Sequence, residues 1–284
     1  VSGHGTTVTI KAMATKAGMA NSAVATGTFV IEYPAWSERT DAGSRPWRSI
    51  ASSVDGARLV AAAWGAASDY GYLYTSADGG ATWTERTAPG ARRWFGVAMS
   101  SDGLTIAAAP DGANIWTSAD GGATWTERTN SGVRAWFGVA ISDDGVRMAA
   151  THYDGYVYTS ADGGATWTQR TSAGLGAAAP DGGYWTGMAS SSDGQKLAAC
   201  RQGGKIYTST DGGASWATRD NYGQWFAIAS SGNGNVLAVV DDISRPPEVS
   251  ADGGATWAVS DAPSGGWYSV SVSADGLRMA AAYH

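Results

Sequence analysis

Ser118-Ala-Asp-Gly-Gly-Ala-Thr-Trp125 is one of five copies of a single phrase, Ser-x-Asp-Gly-Gly-Ala-(Thr/Ser)-Trp, and its spacing decides the fold. The copies occupy residues 76–83, 118–125, 160–167, 209–216 and 250–257. Self-similarity at about 40 to 45 residues is the mark of a propeller assembled from four-stranded sheets. Around the second copy, Trp94-Phe-Gly-Val-Ala-Met-Ser100 alternates as a strand and ends at Asp102-Gly103, a hairpin signal because such turns need positive φ. Residues 104–109, 114–118 and 124–129 supply three more strands. The short turn recurs at Asp55, Asp102, Asp144, Asp193, Asn233 and Asp275, one more time than the long phrase. The chain is therefore expected to be all-β, a six-bladed β-propeller of four-stranded antiparallel blades.

Within the phrase, the glycines allow backbone angles closed to other residues, and Ser and Asp accept hydrogen bonds from turn amides. One carboxylate per turn is too few oxygens for calcium, so no metal is expected there. Alanines 61–63, 107–109 and 280–282 fall in second strands, where blades converge and large side chains would collide. The net charge of −6 argues against nucleic acid as a partner, and no run of 18 apolar residues offers a membrane span. Cys200 is the only cysteine, in a small-residue slot of Leu-Ala-Ala-Cys, and reads as a buried hydrophobe. Three histidines without zinc spacing, and no phosphate-cradling loop, imply no cofactor.

The phrase resembles the Asp-box, or BNR, repeat of sialidase-like β-propellers, over residues 47 to 284. That resemblance implies the propeller fold strongly and an activity weakly, because such repeats serve hydrolases, receptors and assembly factors alike. Sialidase chemistry, as the family implies it, needs three arginines on a carboxylate, a Tyr nucleophile with a Glu partner, and an Asp acid. The five glutamates, Glu32, Glu38, Glu85, Glu127 and Glu248, all fall in outer-strand or motif positions, and an Arg-Ile-Pro element is missing. The segment Thr7 to Ile31 resembles the end of the sandwich domain at the C-terminus of chitobiases and hexosaminidases. Residues 1–27 are accordingly expected to be an N-terminal β-hairpin segment, the tail of a preceding domain or an extension, and 28–284 the propeller. Trp36-Ser-Glu-Arg-Thr40 matches Trp83-Thr-Glu-Arg-Thr87, so N- and C-terminal strands are expected to close the last blade together.

Each blade opens with a tryptophan: Trp47, Trp94, Trp136, Trp185, Trp225 and Trp267. Two readings stand side by side. Each indole wedges between blades with its N–H on a loop carbonyl, or the six form stacking platforms for sugar rings at the propeller mouth. Arg48, Arg93 and Arg134 lie beside them, with Arg201 in a second-to-third-strand loop, and a mouth with Arg and Trp suits carboxylated or sulfated glycans. His152-Tyr153-Asp154 is the densest departure from the repeat; Asp111, Asp181, Tyr184, Asp241, Asp242 and His284 are others. The expected function is a non-catalytic, exported binding or scaffold module with a polysaccharide or glycoconjugate partner. The chain is expected to be a monomeric piece of a larger extracellular or cell-surface protein. The alternative is a divergent glycoside hydrolase with an Asp-based site, such as Asp241-Asp242.

Overall fold

The computed structural model describes residues 6–12, 25–31, 38–64, 70–171 and 183–283. Trp36, Asp181 and His284 lie outside them. The chain divides into two compact units, Val1–Thr40 and Asp41–His284. In the first, β1 (Thr6–Ala12) and β2 (Ala25–Ile31) form an antiparallel pair, running from Thr6 opposite Ile31 to Ala12 opposite Ala25. Most of the segment expected to close the last blade, residues 32–37, lies outside the described residues. Residues 28–31, assigned above to the propeller, pair with residues 6–9 within the first unit. Both segments alternate Thr with apolar residues, and a local partner closes a short loop at small entropic cost.

The second unit repeats one sheet. Repeat one comprises β3 (Trp47–Ser52), β4 (Leu59–Ala63), β5 (Leu73–Ser76) and β6 (Thr84–Arg86). Repeat two comprises β7 (Trp94–Met99), β8 (Ile106–Pro110), β9 (Ile115–Ser118) and β10 (Thr126–Arg128). Repeat three comprises β11 (Trp136–Ile141), β12 (Met148–His152), β13 (Val157–Ser160) and β14 (Thr168–Arg170). In each, the four strands pair in chain order, all antiparallel. Repeats four and five merge into one six-stranded sheet: β15 (Tyr184–Ser190), β16 (Leu197–Ser209), β17 (Ala217–Ser230), β18 (Leu237–Asp241), β19 (Glu248–Ser250) and β20 (Ala258–Val259). Strand β16 runs through what is elsewhere a hairpin, and β17 carries the last strand of one repeat into the first of the next. Repeat six has two strands, β21 (Trp267–Val272) and β22 (Met279–Tyr283).

The innermost strands β3, β7, β11, β15, β17 and β21 lie against one another in that order, the arrangement of a β-propeller. Their close approach has a local cause. A side chain at Gly96 would place its Cβ 2.6 Å from the Phe137 carbonyl oxygen on the neighbouring strand. At the opposite end, the short turns are linked by a line of backbone bonds. Val54 N–H donates to Ser101 O (2.9 Å), Ser101 to Asp143 (3.0 Å), Asp143 to Ser192 (2.8 Å), Ser192 to Gly232 (2.7 Å) and Gly232 to Ala274 (2.9 Å). All five donors and acceptors are the second residue of a Ser-x-(Asp/Asn)-Gly turn, so each turn presents one free amide and one free carbonyl sideways.

The long phrase is a closed hydrogen-bond unit. In the copy at 118–125, Ser118 Oγ donates to Asp120 Oδ1 (2.8 Å) and accepts from Gly122 N (2.8 Å). Asp120 Oδ1 accepts from Thr124 N (2.8 Å) and Oδ2 from the Thr124 hydroxyl (2.6 Å). Trp125 Nε1 closes the turn on Gly122 O (3.0 Å), and Gly121 and Gly122 sit at φ +69° and +88°. The four other copies repeat these bonds. The hydroxyl and amide of the seventh residue hold Asp78, Asp120 and Asp211 down at about 2.

Two outcomes follow from this turn. A carboxylate with a lowered folded-state pKa contributes stability above its unfolded value near ~4 and loses it as pH falls through about 2. The melting temperature is therefore expected to hold from neutral pH to about 4 and to fall steeply between 4 and 2, measured by circular dichroism. Ser118→Ala leaves the buried Gly122 amide without its acceptor and is expected to destabilise by about 1–3 kcal/mol in urea denaturation.

Candidate functional site

The tryptophans expected at the mouth are structural. Trp94, Trp136, Trp185 and Trp225 have no exposed surface and Trp267 is buried, so none of the five presents a face to a sugar. Trp136 is clamped between Ala98, Ala107, Ala109 and Ile115 of repeat two and its own sheet. Its Nε1 donates to Gly132 O (3.1 Å); Trp94, Trp185, Trp225 and Trp267 donate to Gly71, Gly155, Asn221 and Pro263 carbonyls. Only Trp47, 40% exposed, keeps an open face.

Two of the four arginines are also absorbed by the architecture. Arg45, Arg92 and Arg134 all stand two residues before a blade-opening Trp. Each lies over the aromatic of a third strand: Arg45 over Tyr74 (4.7 Å), Arg92 over Trp116 (5.5 Å) and Arg134 over Tyr158 (4.8 Å). Arg134 Nε also donates to the Tyr158 hydroxyl (2.8 Å). In repeat four, Gly183 fills the slot and Arg201, 1% exposed, takes the role from strand β16, not from the loop expected, 4.2 Å over Trp185 and 5.6 Å from Tyr207. Arg134 and Arg201 are thus clamps on neighbouring rings, and the expectation that they face ligand is corrected: Arg134 holds its entry loop to its sheet, and Arg201 reaches over Trp185 from the paired strand. Arg93 remains at the surface, 3.7 Å from Asp111 and 6.0 Å from the Tyr70 ring.

The residue after each blade-opening Trp was missed by sequence reasoning. Pairing skips at this point in all six repeats, between Trp47 and Ser49, Trp94 and Gly96, Trp136 and Val139, Trp185 and Gly187, Trp225 and Ala227, and Trp267 and Ser269. A bulge leaves its extra residue out of the ladder and re-aims its side chain. The skipped positions include Arg48, Phe95, Phe137, Thr186, Phe226 and Tyr268, and they converge. Phe95 stacks on Phe137 at 4.5 Å, Phe226 meets Phe137 at 6.3 Å and Tyr268 at 5.1 Å, all between ring centroids. The Arg48 guanidinium lies 5.2 to 5.6 Å from the rings of Phe226, Phe137, Phe95 and Trp64. Its Nε is buried without a hydrogen-bond partner, and burial lowers its pKa. The sequence did carry a signal, since three of four phenylalanines occupy this one repeat position.

From this centre an aromatic run leads outward. Phe137 stacks on Tyr153 (5.5 Å), and Tyr153 on Tyr184 (4.6 Å, 5° between planes), with Tyr184 48% exposed. Beside it, His152 Nε2 meets Asp154 Oδ1 at 3.0 Å; burial lowers the His152 pKa against the pull of that carboxylate. Asp241 is buried, and its oxygens accept from the Ile243 (3.0 Å), Ser244 (3.1 Å) and Gln224 (2.9 Å) amides. Asp242 takes a bond from Gln202 Nε2 (2.5 Å), and burial, with Asp241 adjacent, raises its pKa. Among the described residues no cluster of three His, Cys, Asp or Glu side chains could hold a metal ion. No described helix is long and apolar enough to cross a membrane.

Searches against protein-family models and against curated proteins matched nothing. Solved structures do match. One is a GH74 xyloglucanase from Xanthomonas campestris, with a TM-score of 0.57 and 18% identity over 75% of this chain. The chain spans 38% of that enzyme. Another is a chain of a nidogen/laminin complex, with a TM-score of 0.57 and 13% identity, over 75% of this chain and 78% of that one. At these identities the likeness shows a propeller-type fold. One neighbour is a glycoside hydrolase and the other belongs to a binding complex.

The burial pattern separates the indoles by role. Trp136→Ala is expected to cost about 3–5 kcal/mol in urea denaturation, and Trp47→Ala less, because part of the Trp47 ring is already in solvent.

Proposed function

We propose that the chain is a six-bladed propeller acting as a non-catalytic, exported binding module. It takes an acidic polysaccharide or glycoconjugate on the face where its innermost strands begin. The observation that carries this reading is the parallel Tyr153–Tyr184 pair, backed by Phe137 and open on the Tyr184 side. A rigid ring pair with one free face suits the apolar C–H side of a pyranose and loses little conformational entropy on binding. Arg93, at the surface, supplies a cation for a carboxylated or sulfated unit. The sequestered Asp241 carboxylate favours binding over hydrolysis, since its oxygens are engaged by three backbone amides. An extracellular setting belongs to the same proposal.

One observation favours the second reading, a glycoside hydrolase with an Asp-based site. The Asp242 pKa is raised, the direction that suits a general acid, and its buried Oδ1 has no hydrogen-bond partner. Release of reducing ends from a panel of acidic glycans, lost in Asp242→Asn, would establish it and end the non-catalytic reading.

For the binding module, Tyr184→Ala is expected to reduce retention on an immobilised acidic polysaccharide at least tenfold, with a melting temperature within about 2 °C of the parent. Retention unchanged in Tyr184→Ala would place the ligand elsewhere.

A further inference from the structure

Arg48 stands out electrostatically. It occupies the bulge position that carries Phe in repeats two, three and five, and it inserts a guanidinium among Phe95, Phe137, Phe226 and Trp64. Its Nε is buried and no described group accepts a hydrogen bond from it. Ring faces attract a cation, which explains how the group is tolerated, but they offer no acceptor to its N–H donors. A half-buried guanidinium whose Nε has no acceptor is a template for a planar, two-oxygen anion. The rest of the collar defines what can be attached to that anion. Phe95, Phe137 and Phe226 are half-buried and apolar. Thr186, at the same position in repeat four, already donates its hydroxyl to Trp225 O (2.7 Å). A sugar placed among these three phenyl rings, with the Tyr268 hydroxyl as one polar group at their edge, would bury most of its hydroxyls against faces that cannot bond them, at about 1–3 kcal/mol each. An arene would instead meet ring edges and faces in favourable geometry.

We propose that the centre of the inner-strand bulges is a second binding site, distinct from the Tyr184 platform, for a small aromatic monocarboxylate. The carboxylate pairs with the Arg48 fork, and the arene fits among Phe95, Phe137 and Phe226. This inference does not depend on the glycan reading.

The test uses the full chain with 3-phenylpropionate, 3-phenylpropanol and glucuronate as probes. It is followed by calorimetry and by the 15N–1H resonance of Arg48 Nε. Phenylpropionate is expected to bind and shift that resonance, with phenylpropanol and glucuronate at least tenfold weaker. Arg48→Met is expected to fold, because it exchanges a half-buried cation whose Nε has no acceptor for an apolar side chain of similar length, and to lose phenylpropionate binding at least tenfold. Should the variant fail to fold, the resonance in the parent protein decides. Equal binding of acid and alcohol, preference for glucuronate, an unmoved Arg48 resonance, or undiminished binding by Arg48→Met would each overturn the site. Glucuronate preference would do so while leaving the glycan proposal standing. Phenylpropionate binding without any polysaccharide retention would do the reverse.

Discussion

The seat of the blade-opening tryptophan is the contact on which the rest of the molecule depends. A sheet in this fold cannot bury both faces by itself; it needs a neighbour, and the indole sets how far away that neighbour stands. Burying one such ring removes about 150–250 Å² of mostly apolar surface, worth roughly 4–6 kcal/mol as an upper bound. The N–H would oppose that burial if left alone, so the loop carbonyl beneath it is a condition of the packing. In every repeat the residue after the indole is skipped by the ladder, whether the ring is buried or, as at Trp47, partly open, and this re-aims its side chain. The binding geometry proposed at Arg48 thus follows from a bulge that all six repeats share.

The same logic shows where the architecture runs out of partners. Ile50 corresponds to Val97 and Val139, which are buried against neighbouring strands, yet Ile50 is 64% exposed and Trp47 beside it is partly open. At the other end, Met279 and the alanines after it are exposed, although their counterparts in β8 and β12 are buried. Among the described residues no third strand pairs with β22, and the line of turn-to-turn backbone bonds ends at Ala274. Exposed strand edges invite pairing, so these two surfaces are the ones on which association or closure would act.

Repetition also explains why charged residues mislead in this chain. Arg45, Arg92 and Arg134 look like a ligand-binding cluster because they crowd the blade entrances, but each has a third-strand ring beneath it. The octapeptide aspartates look like metal ligands, yet their oxygens are engaged by the serine and by the seventh residue of the turn. What a repeat spends on itself is unavailable for function, and departures from it are informative only when their slot is known.

The sequence by itself determined the strand period, the turn chemistry and the alanine-rich second strands, because these follow from spacing and from the local geometry of glycine, serine and aspartate. It also placed the six tryptophans at equivalent positions. Only the tertiary structure decided which way they face, since an indole between two sheets and an indole at a mouth share the same neighbours in sequence. The convergence of Arg48 with Phe95, Phe137 and Phe226 was likewise decided by the assembled sheets. A bulge of one residue turns a side chain from one side of a strand to another, and its consequence depends on strands contributed from 47 to as many as 178 residues away along the chain.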